Sequence, residues 1–95
     1  MSRINQKELE YAVSDFQKEL RIRKAEYGIE KVRELADATG IAPTTLWSRI
    51  NQPLTMRASD IRALVPILHP DPAVLLTFLG YSNKEIKRFR KGETA

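Results

Sequence analysis

Cysteine is absent from this chain, histidine occurs once, and only four glycines and five prolines punctuate its 95 residues. Without cysteine there is no disulfide framework and no thiolate zinc site, and the lone His69 cannot complete a histidine cluster around a metal. No metal or other cofactor is expected, and stability has to come from packing. Long apolar runs are lacking too. None approaches the ~18 residues of a membrane span, and the opening MSRINQKELE has no apolar core of a signal peptide. A soluble, cytoplasmic protein without a membrane partner is the expectation. A glycine-rich phosphate loop, a zinc-ligand spacing and a nucleophile elbow are all missing, so neither an enzyme nor a small-molecule substrate is expected. Also missing are internal repeats, a low-complexity tract, a Gly/Ser linker and the alternating valine and isoleucine that would mark strands.

What is present is helical. An apolar share of 42% is enough for one core, so residues 1–95 read as a single domain. Leu9, Ala12, Val13, Phe16 and Leu20 follow the i, i+3, i+4, i+7 spacing of an amphipathic helix over about Asn5 to Lys24, with Gly28 closing it or its loop. Val32, Leu35 and Ala36 form the next apolar stripe, which ends at Gly40, where glycine can take a left-handed conformation. Pro43 suits the first position of a third helix, because the N–H it lacks would be unpaired there. Pro53 stops that helix near Asn51. Ser59 is placed to cap a fourth helix with Ile61, Leu64, Val65 and Leu68 on its apolar side, and Pro66 is expected to kink or shorten it. DPAVLLTFLG offers Asp71 as cap, Pro72 as first residue and Gly80 as stop. SNKEIKRFRKG carries a capping box of Ser82 and Glu85 and ends at Gly92. The pattern predicts an all-α fold, a compact bundle of five to six short helices.

The net charge of +4 is modest, and its distribution says more than its sum. Residues 1–20 carry −1, residues 21–62 carry +3, residues 63–80 carry −1 and residues 81–95 carry +3. From Ala38 to Ser59 there is no Asp or Glu, although the chain holds twelve. A surface built from that window does not repel phosphate.

Two helices that meet at a tight turn need a small residue at their contact, a glycine in the turn and apolar anchors on the second helix. Ala36, Gly40, Ile41 and Leu46 stand at those offsets. KVRELADATGIAPTTLWSRINQP resembles the helix-turn-helix of the lambda-repressor-like family, the Cro/Xre type of phage and bacterial regulators, over about residues 31–51. MRASDIRALVPIL is similar to that family's next helix, and the likeness spans about residues 16–68. It implies a five-helix domain that binds operator DNA, usually as a homodimer, with its third helix in the major groove.

At ~100° per residue Leu46 and Ile50 lie within about 40° of each other and define the buried side of the third helix. The opposite side holds Thr44, Ser48, Asn51 and Gln52, with Pro43 opening the helix and Thr45, Trp47 and Arg49 flanking. Thr44 and Ser48 are the first choices for base contact, since short hydroxyl side chains can approach base edges; the plainer reading is a solvated polar face. Arg49 could read guanine through a bidentate pair, and its sideways position favours phosphate. Trp47 is bulky for direct readout and reads first as the seal of a domain edge or dimer seam. Thr55 and Arg57 are placed to touch phosphate, with plain solvation the other reading for the arginine. Lys87, Arg88, Arg90 and Lys91 answer to the dipole at a helix C-terminus, and His69 reads as a loop residue with no chemical task. For self-association the helices over about residues 71–92, with Ala73 to Leu79 and the Ile86/Phe89 side, come first, and the N-terminal helix second.

These features lead to one expectation, a sequence-specific transcriptional regulator, a phage or prophage repressor that binds double-stranded operator DNA as a homodimer. Two alternatives stand beside it: a protein-interaction module such as an antitoxin or adaptor, and a phage DNA-binding protein of packaging or recombination.

Overall fold

The architecture is set by where each amphipathic stripe finds cover. A computed structural model describes residues 6–90, without the side chains of Phe89 and Arg90, as six helices in the order α1 (Gln6–Glu26), α2 (Val32–Thr39), α3 (Pro43–Asn51), α4 (Ala58–Leu68), α5 (Pro72–Phe78) and α6 (Asn83–Arg90). A short 3-10 turn, Pro53–Thr55, joins α3 to α4, and no strand occurs among the described residues. Phe16 and Leu20 of α1, Leu35 and Ala36 of α2, Leu46 and Ile50 of α3, and Leu64 and Leu68 of α4 form one buried cluster. Val74, Leu75 and Phe78 of α5 close it from outside. The Phe78 ring stacks on Phe16 at 4.2 Å between centroids.

Local chemistry sets most boundaries. Helix α1 runs two residues past the expected Lys24 because Arg23 pairs with Glu19 at 2.8 Å and Glu26 at 3.3 Å, which supports the last turns. Its expected start at Asn5 lies outside the described residues. Gly40 takes a φ of 77° and donates its N–H to the Ala36 carbonyl, ending α2 in the left-handed cap that glycine adopts without a Cβ penalty. Pro43 occupies the first position of α3. Asp71 caps α5 by accepting from the Ala73 N–H at 2.9 Å. Ser82 and Glu85 form the expected reciprocal pair, with Glu85 N–H donating to Ser82 Oγ and Ser82 N–H to Glu85 Oε1, both at 3.2 Å. Gly92 and Lys91 lie outside the described residues, as does the side chain of Phe89.

One expectation for α4 is corrected, and Pro66 and His69 find their places. Ser59 is exposed and does not cap it; the cap position and the first helical residue, Ala58, fall two residues earlier, and the Asp60 carboxylate reaches back from the third helical position to accept from the Arg57 N–H at 2.8 Å. A carboxylate in the first turn also meets the positive end of the helix dipole. Pro66 does not shorten the helix, which continues to Leu68. Pro66 is exposed, and Leu64 and Leu68, each 1% exposed or less, anchor the chain on either side of it. His69 lies in the loop that follows α4: at φ 47° it forms the left-handed cap of that helix, its N–H donates to the Val65 carbonyl, and its ring meets Tyr27 edge-on at 6.1 Å.

Candidate nucleic-acid interface

Helix α3 is nine residues long and is held from several directions. Leu46, fully buried, and Ile50, 9% exposed, seat it in the core. From α1, the Gln17 amide donates to the Ile50 carbonyl at 3.0 Å, satisfying one acceptor that the helix end leaves open across 33 residues of sequence. From α4, the Asp60 carboxylate takes Arg49 Nη1 on both oxygens, at 2.9 and 2.7 Å. Asp60 is 5% exposed and is the buried charged residue of the core. It joins α3 to the start of α4 by accepting from both the Arg49 guanidinium and the Arg57 backbone.

This ion pair places Arg49, expected to meet guanine or, sooner, phosphate, against Asp60 within the chain. The side chain leaves the flank of the helix and turns inward, with 21% of it exposed. The physical reason is the cost of an uncompensated charge at a nearly buried Asp60, which a guanidinium with several donors removes at short range. A second effect is electrostatic. Asp60, the acid that borders the acid-free window on its C-terminal side, contributes little free negative charge because its partner neutralises it.

The other expected residues fall on the open side. Pro43, Thr44, Trp47, Ser48, Asn51, Gln52, Thr55 and Arg57 are exposed, and Thr45 is half-buried. Thr44, Trp47, Ser48 and Asn51 span about 100° of the helix circumference; Thr44, Ser48 and Asn51 face away from Leu46 and Ile50, and Trp47 flanks them. Trp47 is 59% exposed, so within the single chain it seals no edge. The Asn51 amide donates to the Trp47 carbonyl at 3.0 Å, which leaves its second N–H and its carbonyl oxygen for an outside partner. Thr55 donates its hydroxyl proton to the Gln52 carbonyl at 2.7 Å, so its hydroxyl helps close the turn after α3. Arg57 stands at the start of α4 with its side chain in solvent.

Gln17 and Asp60 are the residues that sequence reasoning did not single out. Neither signal was local: Gln17 sits on the polar flank of α1, and the spacing between Arg49 and Asp60 crosses a turn to another helix.

The surfaces expected to self-associate are partly covered. The apolar side of α5 lies on α1 and its residues 73–78 are half-buried, while Ile86 of α6 is 5% exposed. Leu79 and Tyr81 between α5 and α6 remain 52% and 41% exposed, and on α1 Tyr11 and Ile22 remain 62% and 53% exposed. A shallow groove between α1 and α5 is lined by Ala12, Asp15, Ala73, Val74 and Thr77. Its hydroxyl is engaged with the Ala73 carbonyl, which leaves one carboxylate and no further polar side chain for chemistry. Among the described residues no group of His, Cys, Asp or Glu is arranged to hold a metal ion, and no helix is long and apolar enough to cross a membrane. Comparison with protein-family models, with curated proteins and with solved structures found no match.

Proposed function

We propose that the chain is a sequence-specific DNA-binding regulator, a repressor of the phage or prophage type, that occupies a two-fold operator as a homodimer with α3 in the major groove. The observation that carries this reading is the two-sidedness of α3. Leu46 and Ile50 are buried, while Thr44, Trp47, Ser48, Asn51 and Gln52 are all open to solvent and no acid lies between Ala38 and Ser59. The B-DNA major groove is ~12 Å wide and admits one α-helix whose short polar side chains reach base edges. Arg57, exposed beside that helix, meets the phosphate backbone. The resemblance of residues 31–51 to the lambda-repressor-like helix-turn-helix supports the same reading.

In a symmetric complex two copies of α3 enter half-sites about 34 Å apart. Two apolar surfaces remain open for self-association, Tyr11 with Ile22 on α1 and Leu79 with Tyr81 beyond α5. A charge placed on each in turn, Ile22→Lys or Leu79→Lys, identifies the one that dimerises, by sedimentation of the free protein.

Binding to pooled random duplexes across a salt titration tests the proposal. Affinity that falls steeply with salt is expected, and Arg57→Ala lowers the slope of log K against log salt by about 0.9, the share of the single phosphate that this arginine neutralises. Selection from the pool should then yield a palindrome. The exposed Leu79 and Tyr81 favour a second reading, a protein-interaction module, and absence of any affinity for duplexes at low salt would decide for it.

A further inference from the structure

We propose that α3 reads A·T pairs through thymine methyl groups, with Trp47 as the specificity-determining residue. This rests on the reading of α3 as the helix that enters the major groove and adds the class of base sequence it selects.

Helix α3 is poorly equipped to read guanine. The commonest specific contact in the major groove is an arginine or lysine paired with the O6 and N7 acceptors of that base. PTTLWSRIN contains a single cation, Arg49, and both oxygens of Asp60 hold its Nη1 at 2.9 and 2.7 Å. Withdrawing that arginine would leave a 5% exposed carboxylate without its countercharge. The exposed side of α3 therefore carries no ammonium or guanidinium aimed outward. Arg57 lies beyond the helix, at the start of α4.

What the open side does offer suits the other base pair. Asparagine and glutamine match the N6 donor and N7 acceptor of adenine, and apolar groups match the C5-methyl of thymine. Asn51 and Gln52 are exposed, and Asn51 is tied to the helix through only one of its amide protons. Trp47 stands three residues after Thr44 and four before Asn51, so the three share one stripe of the helix. Its indole is 59% exposed beside otherwise polar side chains, and Leu54 in the 3-10 turn that follows is 62% exposed. Nothing in the described chain covers this surface, and an apolar side chain held in water beside hydrogen-bonding groups is what a methyl-bearing groove floor complements. The methyl of Thr44 adds to the same stripe.

The test uses the full chain and three alternating duplexes of equal length, dA-dT, dA-dU and dG-dC, titrated at low salt. Uracil differs from thymine only by the missing methyl. Because the chain contains one tryptophan, its emission reports position 47 alone. The expected result is a change in that emission on binding dA-dT, affinity for dA-dT about tenfold above dG-dC, and a severalfold loss on replacing dA-dT by dA-dU. Trp47→Ala erases the difference between thymine and uracil, and Trp47→Phe keeps part of it; both retain the helical circular dichroism of the parent, since the position is exposed. Equal affinity for dA-dT and dG-dC would overturn the inference and leave DNA binding standing. A preference for dA-dT that survives both uracil and Trp47→Ala overturns the role given to Trp47. Absence of binding to all three duplexes overturns the underlying reading instead.

Discussion

Helices α3 and α6 are of similar length, nine and eight residues, and both lie in segments of net positive charge, but they are held in opposite ways. Helix α3 packs on α1, α2 and the 3-10 turn, and the Arg49–Asp60 pair ties it to α4. Among the described residues α6 packs on α5 alone, with Ile86 as its buried anchor. The more cationic of the two is α6, whose sequence NKEIKRFR holds two lysines and two arginines. Helix α3 has one arginine, and it faces inward. Charge density and firm packing therefore favour different helices. A readout surface needs side chains fixed to within a fraction of an ångström, and only α3 has neighbours enough to fix them. A basic helix with one neighbour suits looser, sequence-independent attraction.

The largest expected effect breaks the better-held side of this comparison. Leu46→Ala removes a fully buried anchor and costs about 2 to 5 kcal/mol of global stability, measured by urea unfolding. A change confined to α3 would contradict its place in the common core. Asp60→Asn comes next. It leaves Arg49 without its countercharge and costs about 2 to 3 kcal/mol, below the range for fully buried pairs because 21% of the Arg49 side chain is exposed. Adding Arg49→Met to Asp60→Asn recovers part of that loss, and strictly additive single effects would remove the pair from the interactions that position α3.

The weaker side of the comparison responds locally. Ile86→Ala lowers hydrogen-exchange protection in α6 while amides of α3 keep theirs, because a helix with one neighbour opens without the rest. Loss of protection in both helices at once would show that α6 belongs to the same cooperative unit. The smallest effect concerns the cap of α6. The Ser82 N–H, and after it the Ser82 hydroxyl, hold the Glu85 carboxyl below its ordinary range. A carboxyl whose folded value is depressed stabilises above its unfolded value, about 4.3, and that contribution disappears as pH falls through the folded value. Helicity of α6 is therefore expected to fray on acidification below about pH 4.3, and Glu85→Gln should remove the pH dependence. Amide shifts of Ser82 and Glu85 across that range provide the measurement.

Much of the fold was legible because its signals are local. Gly40, Pro43, Asp71 and the Ser82–Glu85 pair each act within four residues, and the structure places caps and first turns at each of them. The buried stripe of α3 was legible for the same reason, since Leu46 and Ile50 are one turn apart. Ser59 misled because serine is a good cap in general, while here Asp60 accepts from the Arg57 N–H and the start of the helix lies two residues earlier. Of the two effects expected of Pro66, shortening does not occur, because the buried Leu68 anchors the last turn. Arg49 misled most. A helical wheel gives the direction in which a side chain leaves the helix, and a long flexible side chain then goes where a countercharge waits.

Local sequence signals set the all-helical class, where most helices start and stop, and that the stretch around α3 is free of acids, because propensity, capping and periodicity operate between near neighbours. Only the tertiary structure decided that Gln17 closes the end of α3 from 33 residues away, that Glu19 accepts from the Asp71 N–H across 52, and that the one arginine of α3 turns toward Asp60. Those partners are selected by which helix faces become adjacent when the apolar stripes merge into one core, and no spacing along the chain encodes that adjacency.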